Sequence, residues 1–283
     1  MKKSFIIIIA LSALVFTSCK KDFEKVNINP NSATNAPTDL LMNGAQVTSI
    51  LFYEGEMARA GNIWSGCFSG EDRQYAGLSK YVTTASDYDG AWSNAYRGVF
   101  GQCLLIEAAA AKINNRRQLG IAQTMRAQLA GTLTSLWGDV PFKEAGDIVA
   151  FPTPKFDVQQ DVYAGVQTLL DSAISNLSSA AGATPGAKDV FYGGNKALWK
   201  KAAYSLKARF YLHTKNYQKA YDNAVLGIAD PSGDMYAPHG ITYLQDFNVY
   251  YSFINADRSG YMAGNSLVAE LLDTASVKYK GNA

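Results

Sequence analysis

Apolar residues recur at helical spacing between Asp157 and Leu177. Asp157, with Gln160 three residues later, has the pattern of a capping box at the start of a helix. The pattern therefore predicts a long helix with one buried face. The residues on that face, at positions i, i+4, i+7, i+8, i+11 and i+15, are Val162, Val166, Leu169, Leu170, Ala173 and Leu177.

The same period recurs along much of the chain, and no block is rich in strand-forming patterns. Further helices are predicted over Asp39–Met57, with Asp39 as the N-cap, over Ser93–Lys112 and over Gln118–Trp137. The expected fold class is all-α, or mainly α, with long irregular loops. Loops of this length often carry binding sites. They cover residues 61–90, 138–155, 178–194 and most of 233–264.

Two helical stripes lie close together near the middle of the chain, at Trp199–His213 and Tyr217–Ile228. The short break at Lys215-Asn216 predicts that these helices pack antiparallel. Small residues where the helices would cross, with aromatic residues beside them, resemble one tetratricopeptide (TPR) repeat. A plain helical hairpin explains the spacing equally well. The residues in the TPR-like pattern are Ala208, Ala220, Ala224, Tyr211 and Tyr217.

The N-terminus has the pattern of a lipoprotein signal peptide. Two lysines precede a mostly apolar run of 12 residues, Phe5–Phe16, which is shorter than the roughly 20 residues that cross a bilayer. Phe16-Thr17-Ser18-Cys19 resembles a lipobox, so Cys19 is expected to carry the acyl chains, such as palmitate, that anchor the protein in a membrane. An ordinary secreted protein with a chance cysteine is the alternative. The predicted organisation is a signal peptide over 1–18, a tether over 19–38 and a helical domain over 39–283.

The charge and the residue types argue against several function classes. Without Lys2 and Lys3, 24 basic residues oppose 24 acidic ones, so the mature chain has no net charge with which to hold nucleic acid. Two histidines argue against a histidine metal centre, and no nucleophile, zinc-protease or phosphate-loop motif occurs. We therefore expect a protein that is not an enzyme, with no metal and no cofactor. A structural calcium ion and a Cys67–Cys103 disulfide remain open.

Aromatic residues are concentrated in the predicted loops. Flat rings beside carboxylates, amides and guanidinium groups suit the binding of sugar rings or peptides without catalysis. The alternative is that these rings belong to the core or contact a partner protein. A second group lies between Tyr243 and Phe253. The first group lies between Trp64 and Trp92, and its candidate ligand-binding residues are Trp64, Arg73, Tyr75, Tyr81 and Tyr88.

Several short segments resemble, in matching order and spacing, the SusD/RagB family of nutrient-binding outer-membrane lipoproteins. In the GDVP segment, Gly138 and Pro141 end a helix and force a turn. The resemblance covers most of residues 19 to about 275. The segments are Asp22-Phe23-Glu24 with Asn27–Asn31, Trp137–Phe142, Phe156–Tyr163, Asp189–Asn195 and Trp199–Arg209.

The resemblance implies a helical scaffold of TPR-like pairs with a ligand face built from loops. It also implies a protein on the outer surface of the outer membrane. There it would cap a SusC-like TonB-dependent transporter and deliver glycans or peptides to it without cleaving them. Family members are usually considerably longer than 283 residues, so the resemblance implies a C-terminally truncated chain. A structural TPR lipoprotein that faces the periplasm and joins other proteins is the alternative.

Overall fold

Helices carry nearly all of the regular structure in the computed structural model, which describes residues 37–243 and 245–281. The predicted signal peptide, Cys19 and most of the tether lie outside these residues. The expected mainly α fold class is confirmed. The helices are α1 Thr38–Glu54, α2 Glu56–Trp64, α3 Arg73–Leu78, α4 Asp89–Ser93, α5 Gly101–Lys112, α6 Arg116–Trp137, α7 Gln159–Ser178, α8 Lys196–His213, α9 Tyr217–Ala224, α10 Val249–Ser252 and α11 Leu267–Leu272.

Wider and tighter helical turns and one short sheet complete the described structure. A π-helical segment, Asn94–Phe100, joins α4 to α5, and a second, Phe253–Asp257, follows α10. Strands β1, Ser69–Gly70, and β2, Met262–Ala263, pair antiparallel, with Ser69 opposite Ala263. The 3₁₀ turns are Ala85–Tyr88, Gly186–Lys188 and Pro231–Gly233.

The main core lies where α5, α6, α7 and α8 pack together with α1. Two glycines in α6 allow the closest approaches. A Cβ on Gly131 would lie 2.2 Å from Cζ of Phe210, and one on Gly120 would lie 2.6 Å from Cγ of Leu177. The absence of these side chains lets α7 and α8 approach the α6 backbone. The largest side chains that are fully buried in this core include Trp199, Phe100, Phe210, Ile106, Ile121 and Leu133.

The strongest helical patterns give helices close to the predicted bounds, but the starts of α1 and α7 differ. Helix α1 begins at Thr38, so Asp39 lies in its first turn and is not the N-cap. The capping box predicted at Asp157 is wrong, because its carboxylate accepts from the backbone N–H groups of Phe142 (3.0 Å) and Lys143 (2.8 Å). The N–H of Gln159 instead donates to Oδ1 of Asp139 at 2.8 Å. The GDVP segment thus caps α7.

The predicted helical pair is present as α8 and α9, although α9 ends at Ala224 and not near Ile228. Ala208 and Ala220 are both buried, as the TPR-like pattern predicts. Tyr217 is exposed (65%) and Ala224 is exposed. The inner face of α9 therefore follows the TPR-like pattern, whereas Tyr217 and Ala224 on α9 are exposed in the part of the chain that the structure describes.

Candidate functional site

A polar groove of about 390 Å³ opens between α2, α3 and the 3₁₀ turn Ala85–Tyr88. It combines a hydroxylated wall with two carboxylates and an aromatic ring. Such a mixture of polar and apolar groups in a concave surface is typical of a small-ligand site. We call it the polar groove, and its lining residues include Glu56, Gln74, Leu78, Thr83, Asp87 and Tyr88.

A small second core holds the groove in shape. Ile63 of α2 packs with Tyr75 and Leu78 of α3, and Met262 of β2 joins them. The rings of Phe68, Tyr250, Phe253 and Tyr261 cover this cluster. The alternative that loop aromatics serve as core is therefore confirmed for these rings. The second core fixes α3 against α2 and so sets the width of the groove.

A partly buried hydrogen-bond network orients Glu56 on the groove wall. The Tyr75 hydroxyl donates to Oε2 of Glu56 at 2.8 Å, and Nη2 of Arg59 donates to the same oxygen at 2.9 Å. Arg59 also lies 4.2 Å above the ring of Phe253. Burial raises the pKa of Tyr75, so its hydroxyl stays protonated and remains a donor. Among the described residues Oε1 of Glu56 has no hydrogen-bond partner, which leaves an acceptor for a ligand.

The opposite wall carries a second ordered carboxylate. The backbone N–H of Thr84 donates to Oδ2 of Asp87 at 2.6 Å, and the Thr83 hydroxyl donates to it at 3.1 Å. The hydrogen bond from the Thr84 backbone, together with that from its side chain, lowers the pKa of Asp87. Asp87 is therefore ionised at neutral pH, and it faces the groove as an acceptor.

Two of the predicted aromatic candidates come together at the edge of the groove. The rings of Trp64 and Tyr88 have centroids 6.5 Å apart and planes at 53°. Nε1 of Trp64 donates to the Leu78 carbonyl at 3.1 Å, while 38% of the side chain stays exposed. Tyr81 is 72% exposed and lies next to Val82, which lines the groove. The two rings provide an apolar surface beside the carboxylates.

The structure places the other two candidates elsewhere. Tyr75 is 1% exposed, so the expectation that its ring meets a ligand is corrected: the ring is core, and the hydroxyl holds Glu56. Arg73 does not line the groove. Its guanidinium lies 5.5 Å from the ring centre of Tyr261 and 3.7 Å from Asp72.

Glu56 was missed by sequence reasoning, and its position has a clear cause. The periodic pattern runs from Asp39 to Met57 as one helix, but the helix breaks at Gly55. A Cβ at Gly55 would lie 2.4 Å from the carbonyl oxygen of Leu51. The break makes Glu56 the first residue of α2 and turns it into the groove. A glycine followed by an acidic residue inside a helical pattern was the available signal.

Cys67, Cys103 and the two histidines do not line the polar groove. Cys67 is exposed and Cys103 is buried, and neither is in a disulfide. Nδ1 of His213 lies 3.1 Å from the Tyr163 hydroxyl at the rim of the core, in agreement with a structural role. Within the described residues no group of three or more metal-ligating side chains occurs.

The described residues form a helical scaffold that carries a groove lined by carboxylates and an aromatic ring. The chain belongs to the SusD-like family, because the family model described as starch-binding and associating with the outer membrane matches residues 30–275. The family resemblance of the short sequence segments is thereby confirmed. No curated protein matches the chain.

Solved structures support the same fold. A SusD/RagB family protein from Bacteroides thetaiotaomicron superposes with a TM-score of 0.70 at 22% identity, covering 80% of this chain and 49% of that one. A SusD homolog from Parabacteroides distasonis superposes with a TM-score of 0.65 at 16% identity, covering 78% of this chain and 45% of that one. A chitin-binding SusD homolog from Flavobacterium johnsoniae superposes with a TM-score of 0.53 at 20% identity, covering 67% of this chain and 42% of that one.

The chain spans about half the length of the solved relatives that it matches. In the part of the chain that the structure describes, no helix has the length and apolar character needed to cross a bilayer.

Proposed function

We propose that this protein is a non-enzymatic, glycan-binding lipoprotein on the outer surface of the outer membrane. The observation that carries the proposal is the polar groove, in which the Tyr88 ring, with Trp64 next to it at the edge, lies beside two oriented carboxylates. The family description, which names starch binding and the outer membrane, supports it. The chitin-binding relative supports a carbohydrate ligand as well.

The groove suits a sugar for a chemical reason. The apolar face of a sugar ring packs against an aromatic ring, here Trp64 or Tyr88, while its hydroxyls need acceptors and donors at the edge. Oε1 of Glu56 and the carboxylate of Asp87 supply acceptors, and the Gln74 amide supplies both. Tyr81 would extend the apolar surface beyond the groove. These contacts bind a ligand and require no bond cleavage.

The proposal includes an anchor and a partner. The acyl chains on Cys19 would hold the domain at the membrane, and a SusC-like TonB-dependent transporter would receive the ligand. Release into the transporter requires only that the ligand leave an open groove. The lipobox and the family membership support this arrangement.

Titration calorimetry with starch and chitin oligosaccharides tests the glycan proposal. The full chain should bind at least one of them, and Trp64→Ala or Tyr88→Ala should weaken binding about tenfold, the loss expected for one stacking contact. Tyr221→Ala is the matched control, because this tyrosine is 67% exposed on α9 and should leave the affinity unchanged. A folded chain that binds none of the oligosaccharides contradicts the proposal, and binding of a peptide panel alone would assign the groove to peptides.

The second candidate function is a periplasm-facing adaptor protein. The observation that favours it is the exposed apolar outer face of α9 and the residues after it, with Tyr217, Tyr221 and Val225 each more than 60% exposed. Exposed apolar patches often mark protein interfaces. Protease added to intact cells separates the two functions, since a surface protein is cut whereas a periplasmic one survives.

A further inference from the structure

A second cavity, of about 600 Å³, lies between the π-helical segment Asn94–Phe100, α5 and the loop 138–158 that contains the GDVP segment. None of its lining residues belongs to the polar groove. We call it the apolar pocket because most of its walls are aliphatic or aromatic. The residues used below are Trp92, Arg97, Gly101, Gln102, Leu105 and Ile148.

The π-helical segment builds one wall of this pocket. Its wide turn lets the N–H of Gly101 donate to the carbonyl of Tyr96, five residues back. The Tyr96 hydroxyl donates to the Pro141 carbonyl at 2.8 Å and so ties the segment to the GDVP loop. π-Helical turns inside α-helices are frequent at functional sites. Here the turn places the Tyr96 ring, the Arg97 guanidinium and Gly101 around one cavity.

Trp92 and Tyr96 form the aromatic wall of the pocket. Trp92 contacts Tyr96 with a centroid distance of 4.7 Å and meets Trp137 edge-on at 5.5 Å. Phe156 stacks on Trp92 at 6.2 Å with planes only 20° apart. On the other side Leu105 (55% exposed) and Ile148 (79% exposed) offer aliphatic surface. These walls suit a flat or branched apolar group.

Arg97 places a positive charge in the lining of the pocket. In the loop 138–158, Glu144 pairs with Lys155 at 3.9 Å and Asp157 pairs with Lys143 at 3.4 Å. Among the described residues no carboxylate lies within ion-pair distance of Arg97. A guanidinium binds a carboxylate through two parallel hydrogen bonds, and the neighbouring Gln102 amide adds a donor.

We propose that the apolar pocket is a second binding site, for an aromatic or branched apolar monocarboxylate. The apolar body lies between Trp92 and the aliphatic wall, and the carboxylate binds Arg97. The volume is within the range of small-ligand sites, about 300–1,000 Å³. A free aromatic acid and the C-terminus of an apolar peptide share this chemistry. The site is independent of the glycan-binding groove.

Nuclear magnetic resonance titration with 3-phenylpropionate and with its uncharged amide tests the charge requirement. The acid should shift the Trp92 indole signal and bind about tenfold more tightly than the amide. Arg97→Gln should remove that difference and leave amide binding unchanged. Lys155→Gln, which removes an exposed cation paired with Glu144, is the matched control and should change neither affinity.

A pocket-filling variant tests the location. Gly101 has helical backbone angles (φ −64°, ψ −39°) and lines the pocket, so Gly101→Leu should abolish binding of both compounds. Gly44→Leu places the same side chain on α1 where nothing lies within 4 Å and should have no effect. Thermal unfolding of both variants, followed by circular dichroism, confirms that they are folded before binding is compared.

Two further arms complete the experiment. Binding of N-acetyl-Leu-Phe tighter than that of 3-phenylpropionate assigns the site to peptide termini, and the reverse order assigns it to free acids. Trp64→Ala should leave acid binding intact, so failure of the glycan proposal and failure of this one are distinguishable. The proposal is overturned if neither carboxylate binds at 10 mM, if the acid binds no better than the amide, or if folded Gly101→Leu binds normally.

Discussion

Asp189 joins α1, α8 and the segment before α8 through one buried carboxylate. Its oxygens accept from Nε2 of Gln46 (2.7 Å), Nε1 of Trp199 (2.6 Å) and the N–H of Gly194 (2.7 Å). The N–H groups of Phe191 and Tyr192 point to the same carboxylate. These contacts tie α1 and α8 to the segment that joins α7 to α8. A charge buried in this way is stabilised only by complete hydrogen bonding.

We predict that Asp189→Ala lowers the free energy of unfolding by about 3–4 kcal/mol, because it leaves several buried donors without a partner. Urea unfolding followed by circular dichroism measures this change. Asp222→Ala, which removes an exposed carboxylate that accepts from Gln218, should cost less than about 0.5 kcal/mol. Equal unfolding midpoints for the two variants would show that the network does not stabilise the fold.

Single residues show the limit of sequence reasoning most clearly. Trp64 and Tyr75 looked alike, as aromatic residues in one polar loop region, yet one edges the groove and the other is core. The difference comes from Phe253 and Tyr261, whose rings pack on Tyr75 from a segment far along the chain. The sequence around Tyr75 does not show that residues from this distant segment pack on its ring. The sequence therefore predicts the region of the candidate site, but it does not predict which aromatic side chains of that region are exposed.

Among the elements, helix contacts depend on positions where a side chain is missing. Gly131 lies in the middle of α6, where alanine would favour the helix by up to about 1 kcal/mol. A Cβ there would meet the Phe210 ring at 2.2–2.6 Å. Phe210 is fully buried, so it has no space to move away. The close approach of α6 and α8 therefore requires glycine.

We predict that Gly131→Ala destabilises the protein by about 1–3 kcal/mol, the usual cost of overpacking a core, in spite of the better helix propensity. The measurement is the shift in the urea midpoint. Gly61→Ala in α2 is the control, since nothing lies within 4 Å of its Cβ position, and it should be neutral or slightly stabilising. Equal urea midpoints for Gly131→Ala and Gly61→Ala would contradict the requirement for glycine where α6 meets α8.

The elements also show which sequence signals are reliable. Helices α6 and α7 were predicted closely because their apolar faces are long and regular. The break at Gly55 and the π-helical turn at Asn94–Phe100 were missed, because the apolar period continues through both. The cap of α7 was also misassigned, since Asp139 reaches it from another segment. A contact between segments decides the cap of α7, whereas the break at Gly55 has a local cause.

At the scale of the whole molecule, the proposed function requires both a lipid anchor and a binding domain. We predict that Cys19→Ser moves the protein from the membrane fraction to the soluble fraction, because a few acyl chains provide most of the membrane affinity. Cell fractionation and metabolic labelling with palmitate measure the change, and Cys67→Ser, at the exposed cysteine, is the control. Full membrane retention and labelling of Cys19→Ser would contradict a lipid anchor at this residue.

The most direct test of glycan binding is to follow the indole nuclear magnetic resonance signals of the four tryptophans while an oligosaccharide that binds the protein is titrated in. We predict that the Trp64 signal shifts and saturates, because this ring edges the polar groove, and that buried Trp199 does not respond. Assignment by Trp64→Phe identifies the signal. Saturable glycan binding that leaves Trp64 unperturbed and shifts Trp92 instead would contradict the polar groove as the glycan site.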